Sequence, residues 1–223
     1  MPKIEIACFN LEATGIAQQH GADRVEFCAD MSLGGTTPNL RETEIARRAL
    51  HINLHVMIRP RGGNFVYTAH EFAQMRKAIT LYNNLGVDGF VFGVLDAMGN
   101  IDKQRNSALV ELAGEKPCTF HRAFDEVTDS VQALEDIIAC GFNTVLTSGC
   151  ASNVDLGQEE LKRLVQQARG RIVVMPGGGL RSTNIGRVWQ ETGAEYFHSS
   201  AITDGSETAV ATEVQALVKA VKL

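Results

Sequence analysis

Gly21-Ala22-Asp23-Arg24-Val25 decides the fold, because its pattern returns three more times, at Gly86-Val87-Asp88-Gly89-Phe90, Gly141-Phe142-Asn143-Thr144-Val145 and Gly193-Ala194-Glu195-Tyr196-Phe197. Glycine suits the left-handed residue that ends a helix, and the polar residue two positions later suits a short turn into a parallel strand. Working outward from these junctions gives eight β-rich runs, at 3–9, 24–28, 53–60, 88–95, 118–123, 144–149, 171–176 and 195–200. The four junctions precede the second, fourth, sixth and eighth of them. Between the runs lie apolar stripes at helical spacing, among them Phe72, Met75, Ile79 and Tyr82, then Val131, Leu134 and Ile138, and finally Val214, Leu217, Val218 and Val221. Parallel strands with helical crossovers and no two-residue hairpin turns leave an open doubly wound sheet or a closed barrel. Eight strands in 223 residues, with no Pro/Gly/Ser-rich linker, select an α/β fold, a (β/α)8 barrel of the TIM type. The expectation is one domain over 1–223, an outer ring of helices, and the eighth helix packed beside the first.

A hydrophobic content of 44% is enough to bury a core of this size. The net charge of -5, with Lys and Arg dispersed, argues against nucleic acid or an anionic membrane surface as a partner. No apolar run approaches the roughly 18 residues of a membrane span. Met1-Pro2-Lys3 leads directly into a strand-like segment, so the reading is a cytoplasmic protein. Five scattered cysteines with no C-x-x-C pair argue against a disulfide framework or a closed zinc site.

Side chains alternate between barrel interior and helix layer along each strand, and function in such barrels collects at the C-terminal strand ends. In the first strand Ile4, Ile6 and Cys8 form the outward phase, leaving Glu5 and Ala7 inside, with Glu5 low enough to suggest a structural role. In the second, Val25 and Phe27 face outward, while Glu26 and Cys28 face inward. The third sends His55, Met57 and Arg59 inward. The fifth ends in His121-Arg122, followed by Asp125, and the eighth turns His198 inward. So many polar groups on one axis are expensive to desolvate without mutual pairing or a ligand.

The loops point to an anion. Arg59-Pro60-Arg61-Gly62-Gly63 sets two arginines beside glycines that admit a ligand close to the backbone. Gly177-Gly178-Gly179 and Ser199-Ser200 follow the seventh and eighth strands, where barrels of this type often hold phosphate on backbone N–H groups. Thr37 is expected to cap a helix starting at Pro38. Glu26 and His121 are the acid–base candidates, with Asp125 and His198 in the same constellation. Arg59, Arg61 and Arg122 are the candidate anion clamps. No lysine at a strand end suggests a Schiff base, and no carboxylate-rich metal pattern is apparent.

Seven motifs in order, Gly21–Cys28, Gly34–Pro38, Met57–Gly63, Thr119–Asp125, Leu146–Gly149, Met175–Gly179 and Phe197–Ser200, resemble the CutC family of copper homeostasis proteins over nearly the whole chain. The resemblance implies a cytoplasmic barrel, self-association into a homo-oligomer, and copper(I) as a ligand, with no established reaction. It also brings Thr147 and Ser148 into the ligand-binding set. Family members often carry a cysteine two residues after the glutamate of the first strand, where this chain has Ala7. Copper(I) prefers thiolate and thioether donors, so the expectation is weak binding centred on Cys28, with Met57 and Cys150 or a histidine as the available partners. The other reading is an enzyme acting on a small phosphate- or carboxylate-bearing molecule.

Overall fold

The four junction glycines all take left-handed φ values, from +70° at Gly193 to +92° at Gly141. The polar residue two positions on then reaches back across the entrance of the preceding strand. Asp23 accepts from the Ile4 N–H at 2.8 Å, Asp88 from Leu54 at 2.8 Å and Asn143 from Cys118 at 2.9 Å. At the fourth junction the backbone carbonyl of Glu195 does the same for Lys3. Each junction thus ends a helix and closes the start of a neighbouring strand.

A computed structural model describes residues 1–222, and Leu223 lies outside the described residues. The order is β1 (Lys3–Cys8), α1 (Leu11–Gln19), β2 (Arg24–Phe27), α2 (Leu40–Ala49), β3 (Asn53–Met57), α3 (Ala69–Leu85), β4 (Gly89–Phe92), α4 (Lys103–Ala113), β5 (Cys118–Phe120), α5 (Ser130–Ala139), β6 (Thr144–Thr147), α6 (Gln158–Ala168), β7 (Val173–Pro176), α7 (Ile185–Thr192), β8 (Tyr196–Ser199) and α8 (Ala211–Lys222). All ladders are parallel, and β8 pairs with β1 with Glu5 opposite His198. The strands run round a nearly closed (β/α)8 barrel, whose remaining seam between β7 and β8 is closed by packing. Gly177 makes that seam possible: a Cβ there would fall 2.5 Å from Leu146 Cδ1 and 3.0 Å from His198 Cβ. Helix α8 packs beside α1, as expected.

The outward strand phase and the inner helix faces form one core, in which Phe27, Phe90, Phe92, Phe120 and Phe197 are fully buried. Each contributes roughly 1.5–3 kcal/mol. Cys8 belongs to this outer core, whereas Cys28, Met57 and Val91 form a separate inner cluster against Phe9, as strand alternation requires.

Three expectations need correction. The strands β3, β4 and β5 stop at Met57, Phe92 and Phe120, three residues short of the expected ends, because the chain there leaves the ladder to build the barrel mouth. Thr37 caps no helix: its hydroxyl pairs with the backbone of Arg59, and Asn39 caps α2 by accepting from Arg41 and Glu42. On α5, Leu134 is buried and Ile138 packs against the core as expected, together with Ala133 and Ile137, but Val131 is exposed. Among the described residues no helix is long and apolar enough to cross a membrane.

Candidate active site at the barrel mouth

A chamber of about 220 Å³ opens at the C-terminal ends of the strands. Glu26, Met57 and His198 line it from β2, β3 and β8, Cys28 from the position just after β2, and His121 and Arg122 from the segment after β5. Arg59, Phe65, Gly178, Gly179, Arg181, Ser199 and Ser200 complete the polar and loop-borne walls. Barrel closure brings these together from positions far apart in sequence.

One inward position below Ala7 on β1 lies Glu5, with both carboxylate oxygens engaged. Oε2 accepts from Arg24, and Oε1 meets His198 Nδ1 at 2.7 Å. Arg24 is buried as well, stacked 4.6 Å from the Tyr196 ring and donating to Met175 Sδ at 3.6 Å. Burial works to raise the Glu5 pKa, but Arg24 and His198 outweigh it and hold the carboxyl well below the usual carboxylate range. An ionised Glu5 fixes a proton on His198 Nδ1 and turns Nε2 toward Glu26, whose Oε2 stands 3.9 Å away.

Burial and the nearby Glu5 charge push the Glu26 carboxyl up, against the pull of His198. Burial would lower His198, but Glu26 and Glu5 raise it above the ordinary imidazole value. The pair therefore keeps a proton to higher pH than a carboxylate would alone. Glu26 Oε2 accepts from Cys28 Sγ at 3.4 Å, while Oε1 has no partner among the described residues. Donor atoms of Glu5, Glu26 and His198 lie within 4.8 Å of one another, a carboxylate and imidazole grouping that strand alternation alone did not single out. Both Glu5 oxygens are already occupied, which leaves Glu26 and His198 as its free donors.

His121 stands on the β5 side. Its Nδ1 accepts from the Ala123 N–H at 3.3 Å, so the ring proton is on Nε2, which has no partner among the described residues. Burial and the Arg59 cation lower its pKa to about 3, and the imidazole is neutral. Gly93 gives the ring its room, since a Cβ there would lie 2.8 Å from Nδ1.

Other sequence candidates have different duties. Arg59 lines the chamber but spends its guanidinium on the carbonyls of Leu33, Gly35 and Gly63, tying the loops after β2 and β3 together. Arg61 does not line it. That side chain is held by Glu71 and the carbonyls of Gly62, Asn64 and Val66. Asp125 is outside the chamber too, as a hub that accepts from Thr147, Ser148, Cys150 and Arg122. Thr147 and Ser148 are fully buried partners of that hub and do not reach the chamber lining. Gly177 is spent on the β7–β8 seam, whereas Gly178 and Gly179 reach the chamber. Cys150 is exposed and lies elsewhere. Arg181 was not foreseen. It follows the glycine loop by two residues, is fixed by the carbonyls of Leu180 and Ile202, and lines the rim.

The fold and the site define a barrel with a chamber at its C-terminal mouth, lined by a carboxylate, two imidazoles and three arginines. The CutC family model matches residues 2–203, and the chain belongs to the CutC family. Among its relatives are a copper homeostasis protein cutC homolog of Homo sapiens, 44% identical over 89% of this chain and 72% of its own, and a family protein CutC of Chromobacterium violaceum, 45% identical over 89% and 80%. A crystal structure of CutC from Streptococcus agalactiae superposes with a TM-score of 0.87 at 33% identity, over 91% of this chain and 100% of that one.

Proposed function

We propose that this chain serves copper homeostasis, the process for which its relatives are named, through a chamber that takes a small phosphate- or carboxylate-bearing molecule and works on it by acid–base chemistry. The observation that carries the reading is a half-unpaired Glu26 beside a Glu5-oriented His198 in a cavity rimmed by Arg122 and Arg181. Five free thiols support a reducing, cytoplasmic setting. The test is thermal: inorganic phosphate at ten times its Kd contributes about 1.4 kcal/mol, which raises the Tm of a chain this size by about 3–6 °C. Arg122→Ala and Arg181→Ala should lose the shift, and Arg48→Ala, a change on an exposed helix face, should keep it. No shift at millimolar phosphate in the parent, or equal loss in all three variants, overturns the reading.

Copper(I) is a second reading, favoured by Cys28 and Met57 sharing the inner cluster that opens on the chamber. These two soft donors fit a weak site. Burial and the adjacent Glu26 push the Cys28 thiol well above its usual range, so copper must displace a proton that is firmly held. Competition with a copper(I) chelator should give weak binding that Cys28→Ala abolishes. Tight binding that survives Cys28→Ala would remove the assignment. Self-association, implied by the family resemblance, stands with both readings. Light scattering that gives about 24 kDa would count against it.

A further inference from the structure

Between β7 and β8 the barrel has neighbouring strands that form no ladder among the described residues. Val173 and Gly177 give their N–H groups to Asn143 and Thr147 on the β6 side, and the Glu195 carbonyl at the start of β8 serves Lys3 of β1. Peptide groups alternate sides along a strand, so Gly178 and Ser200, just past the two strand ends, fall on the phase that faces the seam. The N–H groups of Gly178, Gly179 and Ser200 have no backbone acceptor among the described residues, and all three residues line the chamber. The two loops are close together. A Cβ on Gly177 would lie 3.0 Å from His198 Cβ, and Arg181 ties the loops by donating to Leu180 at 2.7 Å, Ser199 Oγ at 3.4 Å and Ile202 at 3.0 Å. Arg122 arrives from the β5 side. Its Nε and Nη2 donate to Asp125 at 2.7 Å and Ser148 at 3.0 Å, and its Nη1 stands 3.1 Å from where a Cβ of Gly178 would be.

The charges of the chamber wall do not balance. Glu5 and Glu26 are matched by Arg24 and His198, and Arg122 by Asp125. Arg181 has only carbonyls and a hydroxyl as acceptors, and Arg59, 5% exposed, has only carbonyls. A cation withdrawn from water without a counter-charge is costly, so two such guanidinium groups on one wall favour a ligand with more than one negative charge. We propose that the upper end of the β7–β8 seam binds the phosphoryl group of a small phosphate monoester, held by the N–H groups of Gly178, Gly179 and Ser200 with Arg122 and Arg181 beside it. This deepens the reading that the chamber takes a small anionic molecule, and rests on it. A phosphate monoester carries a charge of about −1.5 to −2 at pH 7 and three strong acceptor oxygens. Donors that converge from the segments after β5, β7 and β8 suit a tetrahedral group, whereas a carboxylate offers two oxygens in one plane. The rest of the chamber, toward Phe9, Cys28 and Met57, is left for the body of the molecule. Its volume of about 220 Å³ equals roughly seven water volumes, which limits that body to a few carbons.

Amide 1H–15N spectra of the full chain test the inference directly, with glycerol 3-phosphate as the probe and malonate as a dicarboxylate of like charge. Glycerol 3-phosphate should move the amide protons of Gly178, Gly179 and Ser200 downfield, and inorganic phosphate should move the same three, because they hold the phosphoryl group and not the body. Malonate should bind more weakly by calorimetry. Ser200→Pro deletes an N–H that has no backbone partner to lose, and it should weaken glycerol 3-phosphate by about tenfold or more, the worth of one hydrogen bond to a charged group. At saturation that variant should still show the Gly178 and Gly179 shifts. Where it fails to fold, the three amides of the parent decide alone. Amides that stay still while phosphate raises the Tm overturn the proposal and leave the anion reading standing. Malonate that binds as tightly as glycerol 3-phosphate, or a folded Ser200→Pro protein with undiminished affinity, does the same. If neither the Tm nor the amides respond to any of the three anions, both fall.

Discussion

The two rims of the barrel draw on the same kinds of residue and use them in opposite ways. At the strand entrances Asp23, Asp88 and Asn143 each close a backbone N–H, and Asp23 and Asp88 are further paired with Lys222 and Arg47. At the mouth, Glu26 Oε1, His121 Nε2 and Arg59 Nε are buried without partners among the described residues. A buried polar group left unmade costs roughly 1–3 kcal/mol, so the mouth gives up stability that the entrance rim keeps. Further exceptions are His55 Nδ1 on β3 and Thr119 Oγ1 on β5 between the rims, Tyr67 Oη in the segment after β3, and Gln158 Nε2 and Gln167 Oε1 on α6. Saturated polar groups mark where the fold is held together. The unsaturated ones at the mouth leave hydrogen-bonding capacity that the entrance rim does not.

The largest expected effect lies at the boundary between the two regimes. Glu5→Ala would strand the buried Arg24 with only Met175 Sδ and the Tyr196 ring for company. Removing one partner of a buried ion pair costs about 3–5 kcal/mol, read as a lower urea midpoint at unchanged slope. A loss below about 1 kcal/mol would mean that Arg24 escapes to water, since exposed pairs are worth no more than that, and the saturated layer would then be weaker than drawn. Asp88→Ala comes next. It takes the acceptor from Leu54 N–H and the partner from Arg47, at about 1–3 kcal/mol. The phosphate-induced Tm shift should be unchanged in that variant. A changed shift would show that the entrance rim and the mouth are not separable.

How much of this was legible from residues alone follows the same division. The entrance rim is local: glycine at a helix end and a short polar side chain two residues on specify their own hydrogen bonds, and strand alternation correctly sorted Cys8 from Cys28. Mouth residues choose partners through space. Thr37 is drawn to the Arg59 backbone, Arg61 to Glu71, and Asp125 to Thr147 on the next strand, none of which has a fixed spacing. Arg181 was missed because the glycine loop drew the reading and the arginine after it matched no pattern. Reading Glu5 as structural leaves out its hold on His198, which depends on the β1–β8 closure that only the folded barrel supplies.

The smallest expected effect is the most discriminating, because its sign changes with pH. His55 and His121 both have pKa values lowered to about 3 by burial and by neighbouring arginines, against an ordinary value of 6.5. As pH falls below that ordinary value the unfolded chain takes up protons that the folded chain refuses. Stability should therefore decline by about 1.4 kcal/mol per pH unit for each histidine. His121→Phe removes one of the two and keeps a ring of similar shape against Phe65 and Phe120. At pH 7 it should cost about 1 kcal/mol, because the Ala123 N–H loses its acceptor. At pH 5 the parent has paid roughly 2 kcal/mol for His121 that the variant has not, so the variant becomes the more stable protein. The two urea-midpoint curves should cross near pH 6, by about 0.7 unit below the ordinary imidazole value. Parallel curves would mean that folded His121 accepts a proton, and a cationic imidazole at the mouth would no longer be the neutral donor that the unpaired Nε2 describes.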